Sequence, residues 1–136
     1  MVSITVDYTG SLRCKAVHGP SGTELITDAP ADNGGQASSF SPTDLTATSL
    51  LTCIMTTMAI YAQRHNLDLK GMSGSAEKVM EANPRRIGAI RMVISMPVPE
   101  SHPLVNGLKA AANGCPVHHT LSHDTQMPIE WEWAKA

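Results

Sequence analysis

Residues 41–63 read SPTDLTATSLLTCIMTTMAIYAQ, and the fold turns on whether this stretch crosses a membrane or fills a protein core. Ser41 suits a helix cap, Pro42 suits the first helical position, and Asp44 follows three residues after the cap as in a capping box. From Leu45 to Gln63 no side chain carries a formal charge. Leu45, Leu50, Leu51, Ile54, Met55, Met58 and Ala59 leave almost no polar face. At about 1.5 Å per residue the run is nearly of bilayer length. Thr46, Thr48, Ser49, Thr52, Thr56 and Thr57 nevertheless make it too polar for a span. A helix apolar nearly all round in a small chain has to be covered on all sides. Cys53, near its middle, is the residue that asks for a chemical reason.

The bulk composition narrows the choices. At 136 residues the chain is the size of one domain, 1–136, able to bury roughly two-thirds of its unfolded surface. Charged residues are 16% of the chain, against about 25% in typical domains, so part of the apparent surface reads as subunit interface. The net charge of −2 gives no electrostatic footprint for nucleic acid or an anionic membrane, and neither partner is expected. The first ten residues, MVSITVDYTG, lack a basic start and alternate instead of running apolar, so no signal peptide is expected. Three widely spaced cysteines, Cys14, Cys53 and Cys115, fit a cytoplasmic chain with reduced or redox-active thiols better than a secreted disulfide framework.

On either side of the central helix the chain reads as short strands. Val2, Ile4, Val6 and Tyr8 alternate with polar residues as in a half-buried strand. Strands are expected at residues 12–18 and 23–28, then a Gly/Ser/Asn loop over 29–40 leads to Ser41. Residues 69–80 and 87–97 read as a strand pair, with Ile90, Met92, Ile94 and Met96 on one face and Arg85-Arg86 at a solvated turn. Residues 103–113 read as a helix that Gly114 ends. A last strand carries Ile129, Trp131 and Trp133 on its apolar side. The order β-β-β-α-β-β-α-β predicts an α+β fold with antiparallel sheets around a long buried helix. Small sheets and one further helix hardly cover that helix, which predicts a homodimer with the helices at its centre.

Candidate chemistry concentrates on thiols. Cys14 falls on the apolar face of its strand and reads as a small buried hydrophobe. Cys115 lies between Gly114 and Pro116, where it can cap a short new turn whose backbone N–H groups favour a thiolate. Cys53 and Cys115, 62 residues apart on two helices, form a candidate peroxidatic and resolving pair, and the sequence leaves open which one attacks. Cys115, His118, His119 and His123 are ligand-like types at close spacing. Adjacent histidines point different ways, however, and no further ligand completes a tetrahedral set, so no metal is expected. No P-loop or G-x-G-x-x-G pattern is present, and no cofactor is expected.

The pattern Gly34-Gly35, then Ser41-Pro-Thr-Asp-Leu45, then Cys53, then Cys115-Pro-Val-His118 before a final strand resembles the OsmC/Ohr superfamily of osmotically inducible and organic hydroperoxide resistance proteins. The resemblance spans nearly the whole chain. It implies an OsmC-like fold, an intertwined homodimer with two active sites at the subunit interface, and thiol-dependent reduction of hydroperoxides in oxidative or osmotic stress. It implies Cys53 as the attacking thiol, Cys115 as the resolving one, and an external dithiol as reductant. In the hydroperoxide-resistance branch a glutamate follows the helix-opening proline and holds an arginine over the thiolate. Here that position is Thr43, and the acid, Asp44, comes one residue later, turned by about 100° around the helix. Arg13 is the candidate arginine, and Arg13 and Asp44 are the candidate activating groups.

Two other classes stay in view. One is a non-catalytic dimer of the same fold that binds a small apolar ligand or senses redox state through Cys53. The other is a metal-binding protein using the cluster from Cys115 to His123.

Overall fold

The capping box at the start of the central helix closes in both directions. In the computed structural model, which describes residues 1–121 and 123–136, the Ser41 N–H donates to Asp44 Oδ2 at 2.9 Å. The Asp44 N–H donates in return to Ser41 Oγ at 3.1 Å. With Pro42 at its first position, helix α1 runs over Pro42–Gln63. Ala47, Leu50, Leu51, Ile54, Met58 and Ala62, three or four residues apart, form its buried stripe. Ser49, Thr52, Thr56 and Ile60 lie exposed. By length and composition α1 passes for a membrane span, yet its apolar stripe is the centre of a protein core. This chain covers one side of the helix, where the sequence calls for cover all round.

The chain divides into two units, Met1–Thr46 and Ala47–Ala136. In the first, β1 (Ile4–Gly10), β2 (Arg13–His18) and β3 (Glu24–Asp28) form an antiparallel sheet in that order. Cross-strand partners share a face, so Ile4, Val6, Tyr8, Cys14, Ala16 and Leu25 lie together. The expected half-burial of β1 is not met within one chain: Ile4, Val6 and Tyr8 are 62%, 59% and 66% exposed. The following loop contains a single 3₁₀ turn, Ala31–Asn33. It needs its two glycines for different reasons. Gly34 adopts a left-handed backbone with φ of 85°, and a Cβ on Gly35 would collide with the Ala29 carbonyl oxygen.

The second unit pairs β4 (Ser73–Glu81) antiparallel with β5 (Arg86–Pro99), and β5 with β6 (Ile129–Ala134). The last pairing is parallel, where the sequence reading had only antiparallel strands. Between these strands α2 (Val105–Asn113) and α3 (Pro116–Thr120) carry the chain back to the end of the sheet from which β5 set out. Such a crossover is what a parallel pair requires. β4 starts at Ser73 instead of residue 69, because Asp68–Met72 is a turn: the Lys70 N–H bonds Asp68 Oδ1 at 2.9 Å and Gly71 has φ of 98°. The inward face of β5 is as its alternation predicts, with Ile90, Met92, Ile94 and Met96 buried against Leu50, Ile54 and Met58. Trp131 and Trp133 stack at 5.5 Å and pack on that core. Arg85 is exposed as expected, and Arg86, opening β5, pairs with Glu81 at 2.6 Å at an exposed site.

Candidate active site

Cys53 lies eleven residues beyond Pro42, three turns from its own helix start, and the dipole of a helix acts within its first turn. Any group that steadies its sulfur therefore has to come from another segment or from the next turn of α1. That segment is the α2–α3 corner. Gly114 ends α2 with an ordinary φ of −89°, its N–H bonding the Ala110 and Ala111 carbonyls at 3.1 Å. It does so without the left-handed turn that glycine usually brings there. Cys115 then adopts an extended backbone and caps α3, its Sγ accepting from the His118 N–H at 3.3 Å. Pro116 has no N–H, which leaves Val117 as the first backbone donor of the corner.

Cys53 and Cys115 meet here. The Cys115 thiol donates a hydrogen bond to the Cys53 sulfur, and the Val117 N–H and the Thr57 hydroxyl reach the same atom. Cys115 is fully buried and Cys53 partly so, and both are free thiols. The two are driven apart electrostatically. Burial pushes the Cys53 thiol up, but the hydrogen bonds from Cys115, Val117 and Thr57 together outweigh it and hold Cys53 below the ordinary thiol range. Burial also pushes Cys115 up, and donating to Cys53 adds to that, so Cys115 holds its proton above the ordinary range. The backbone donors expected to make Cys115 a thiolate are present, but burial and the neighbouring sulfur overcome them.

The remaining candidates have partners of their own. Arg13 belongs to the first unit, its Nε 3.5 Å from Asp28 Oδ2 and its Nη2 donating to Gln36 Oε1 at 2.9 Å. Asp28 is fully buried and also accepts from the Ser38 N–H at 3.0 Å and the Ser38 hydroxyl at 2.5 Å. The Ser38 hydroxyl and N–H, with the Arg13 charge, hold its carboxyl below the usual carboxylate range against the opposing effect of burial. Asp44 sits in the cap of α1. Cys14 lies on β2 opposite Tyr8 and Thr27. The rings of His118 and His119 stand edge to face, 83° apart. Among the described residues no three His, Cys, Asp or Glu side chains converge as metal ligands would. A groove of about 350 Å³ on the second sheet, bordered by Glu77, Arg91 and Glu130, contains neither cysteine.

Thr57 and the Val117 N–H are the site groups that the sequence reading passed over. Thr57 was accessible in principle: it is one helical turn after Cys53, the spacing at which side chains on a helix meet. Val117 acts through its backbone, which no side-chain pattern marks.

The model of the family described as OsmC-like protein matches residues 35–131. A crystal structure from Psychrobacter arcticus, of a protein named for the osmotic stress induced and detoxification response, is 36% identical to this chain. It superposes with a TM-score of 0.92, covering 97% of this chain and 96% of its own. An OsmC-like protein from Mycoplasma pneumoniae shares the fold at 15% identity and a TM-score of 0.81, over 99% and 98% of the two chains. So does an organic hydroperoxide resistance protein from Legionella pneumophila, at 14% identity and 0.78 over 97% and 96%. No curated protein matches the chain significantly.

Proposed function

Since this chain belongs to the OsmC-like protein family, we propose that it is a thiol-dependent peroxidase that reduces organic hydroperoxides in the stress response. The observation that carries the reading is the contact between two thiols biased in opposite directions, Cys53 toward thiolate and Cys115 toward thiol. A free thiol is only about 3% ionised at pH 7, and the thiolate is the form that attacks. Cys53 thiolate attacks the terminal peroxide oxygen. The O–O bond breaks, an alkoxide leaves and takes up a proton as alcohol, and Cys53 becomes a sulfenic acid. Cys115 sulfur then displaces the hydroxyl, which leaves as water with the Cys115 proton, and a Cys53–Cys115 disulfide forms. An external dithiol reduces that disulfide and is itself oxidised.

The surroundings of Cys53 suit alkyl substrates: Cys53 and Met55 are partly buried at the edge of the apolar core, and methionine adapts to irregular shapes. An apolar wall gains about 25 cal/mol per Å² from a tail that it covers. A four-carbon tail burying ~80–100 Å² is thus worth roughly 2–2.5 kcal/mol, a factor of ~30–70. Hydrogen peroxide gains nothing there.

The deciding experiment measures peroxide consumption with excess dithiol. Wild type is expected to prefer tert-butyl or cumene hydroperoxide over hydrogen peroxide by at least tenfold in kcat/KM. Cys53→Ser loses all consumption. Cys115→Ser completes one turnover and accumulates a sulfenic acid trapped by dimedone, and Cys14→Ser changes little. The roles are reversed if Cys115→Ser loses the first turnover while Cys53→Ser keeps it. A second reading, a redox sensor or binder of a small apolar ligand, draws support from Thr43 at the position of the branch glutamate, its hydroxyl 3.2 Å from Ser41 Oγ. One slow oxidation of Cys53 without turnover supports that reading instead.

A further inference from the structure

Several threonines of α1 turn their hydroxyls back onto the helix. Thr46 donates to the Pro42 carbonyl at 3.3 Å, Thr52 to the Thr48 carbonyl at 2.8 Å, and Thr57 to the Cys53 carbonyl at 2.7 Å. This is an ordinary habit of helical threonine. Thr57 differs in what stands one turn before it. Its acceptor belongs to the residue whose sulfur is also within the hydroxyl's reach, and it is part-buried where Thr46 and Thr52 bond at exposed sites. A threonine hydroxyl has one proton and cannot serve both acceptors at once.

We propose that Thr57 is a thiolate switch for Cys53, its single hydroxyl proton resting on the Cys53 carbonyl while the sulfur is protonated and swinging onto the sulfur when it ionises. The step is a rotation about one side-chain bond and moves no electrons. It suits the site for two reasons. The charged sulfur is a stronger acceptor than a carbonyl already engaged in the helix ladder, and hydrogen bonds to ionised groups are roughly twice as strong as neutral ones. The same rotation offers the donor back to the carbonyl once Cys53 is oxidised and its charge is gone. The charge on Cys53 is thus met from two directions, by Cys115 and Val117 from the α2–α3 corner and by Thr57 from within α1.

The inference rests on Cys53 being the ionising thiol of the proposed reaction, but its test needs no peroxide. In full-length protein carrying Cys14→Ser, the rate of iodoacetamide alkylation is followed against pH on the Cys53 peptide by mass spectrometry. Thr57→Val is close in shape and lacks the donor. It is expected to move the midpoint of Cys53 alkylation up by about 0.5–1 pH unit and to slow labelling at pH 7 by about 3–10-fold. Thr57→Ser restores the hydroxyl and returns the midpoint to within about 0.2 unit of the parent. Thr57→Ala repeats the valine result if valine disturbs the helix. The proposal is overturned if Thr57→Val and Thr57→Ala leave the midpoint in place, or if Thr57→Ser moves it as far as valine does. Absence of peroxidase activity in the wild-type protein, with the alkylation shifts intact, would count against the peroxidase reading alone.

Discussion

At the scale of single residues, Asp28 and the cysteine pair are governed by the same balance of burial against donors. Asp28 is completely buried, yet the Ser38 hydroxyl and N–H and the Arg13 charge keep it ionised in the fold. Its folded-state pKa lies below its unfolded value, so the unfolded chain binds the extra proton first on acidification. The stability it contributes is present above the unfolded carboxylate value, near 3.9, and is lost as pH falls through the lower folded value. Asp28→Asn is expected to lower the melting temperature at pH 7 and to flatten the acid limb, the gap to wild type closing only as pH falls from about 4 through the lower folded value. Thermal melts by circular dichroism between pH 3 and 7 check this, and two parallel curves would refute it. None of this burial is written in the sequence, where Asp28 merely ends a strand. The cysteines were legible as a pair. Which of them ionises was not, because the answer depends on donors that only the α2–α3 corner supplies.

At the scale of elements, the helix cap separates a structural role for Asp44 from an activating one. Its carboxylate accepts from the Ser41 N–H. Asp44→Ala is expected to cost about 1 kcal/mol, which lowers the melting temperature by about 3–5 °C. Alkylation of Cys53 at pH 7 should change by less than about twofold, whereas a tenfold loss would show that the acid acts on the thiol. The elements that the sequence disclosed are those with a strong period or a strong stop signal. These are α1 with its cap and proline, the alternating Ile90–Met96 face of β5, and the Gly-Cys-Pro run that opens α3. What it concealed depends on partners far along the chain. The parallel direction of β6 is fixed by the crossover through α2 and α3, and the late start of β4 by side-chain bonding in the turn at Asp68.

At the scale of the whole molecule, the open question is what covers the apolar face of the first sheet. Ile4, Val6, Tyr8 and Leu25 lie on one face and are 62%, 59%, 66% and 39% exposed. The opposite face mixes Asp7, Arg13, Lys15 and Glu24 with Thr5, Val17 and Ile26. A sheet whose first face is the more apolar and whose second carries the charges is built to be covered on the first. An exposed patch of this kind marks an interaction surface in a soluble protein. The shortage of charge along the chain, 16% against about 25%, agrees with an interface that is part of the fold. The expected occupant is a second copy, giving a particle of twice 14.5 kDa, about 29 kDa, in light scattering at micromolar concentration. Val6→Arg places a charge in the middle of the apolar face, where burial without a partner costs several kcal/mol. It is expected to yield a monomer or an aggregated chain. Thr5→Arg, one residue away on the charged face, should leave the mass unchanged. A wild-type mass of 14.5 kDa, or an equal effect of the two substitutions, would mean that this face is not the one joining the copies.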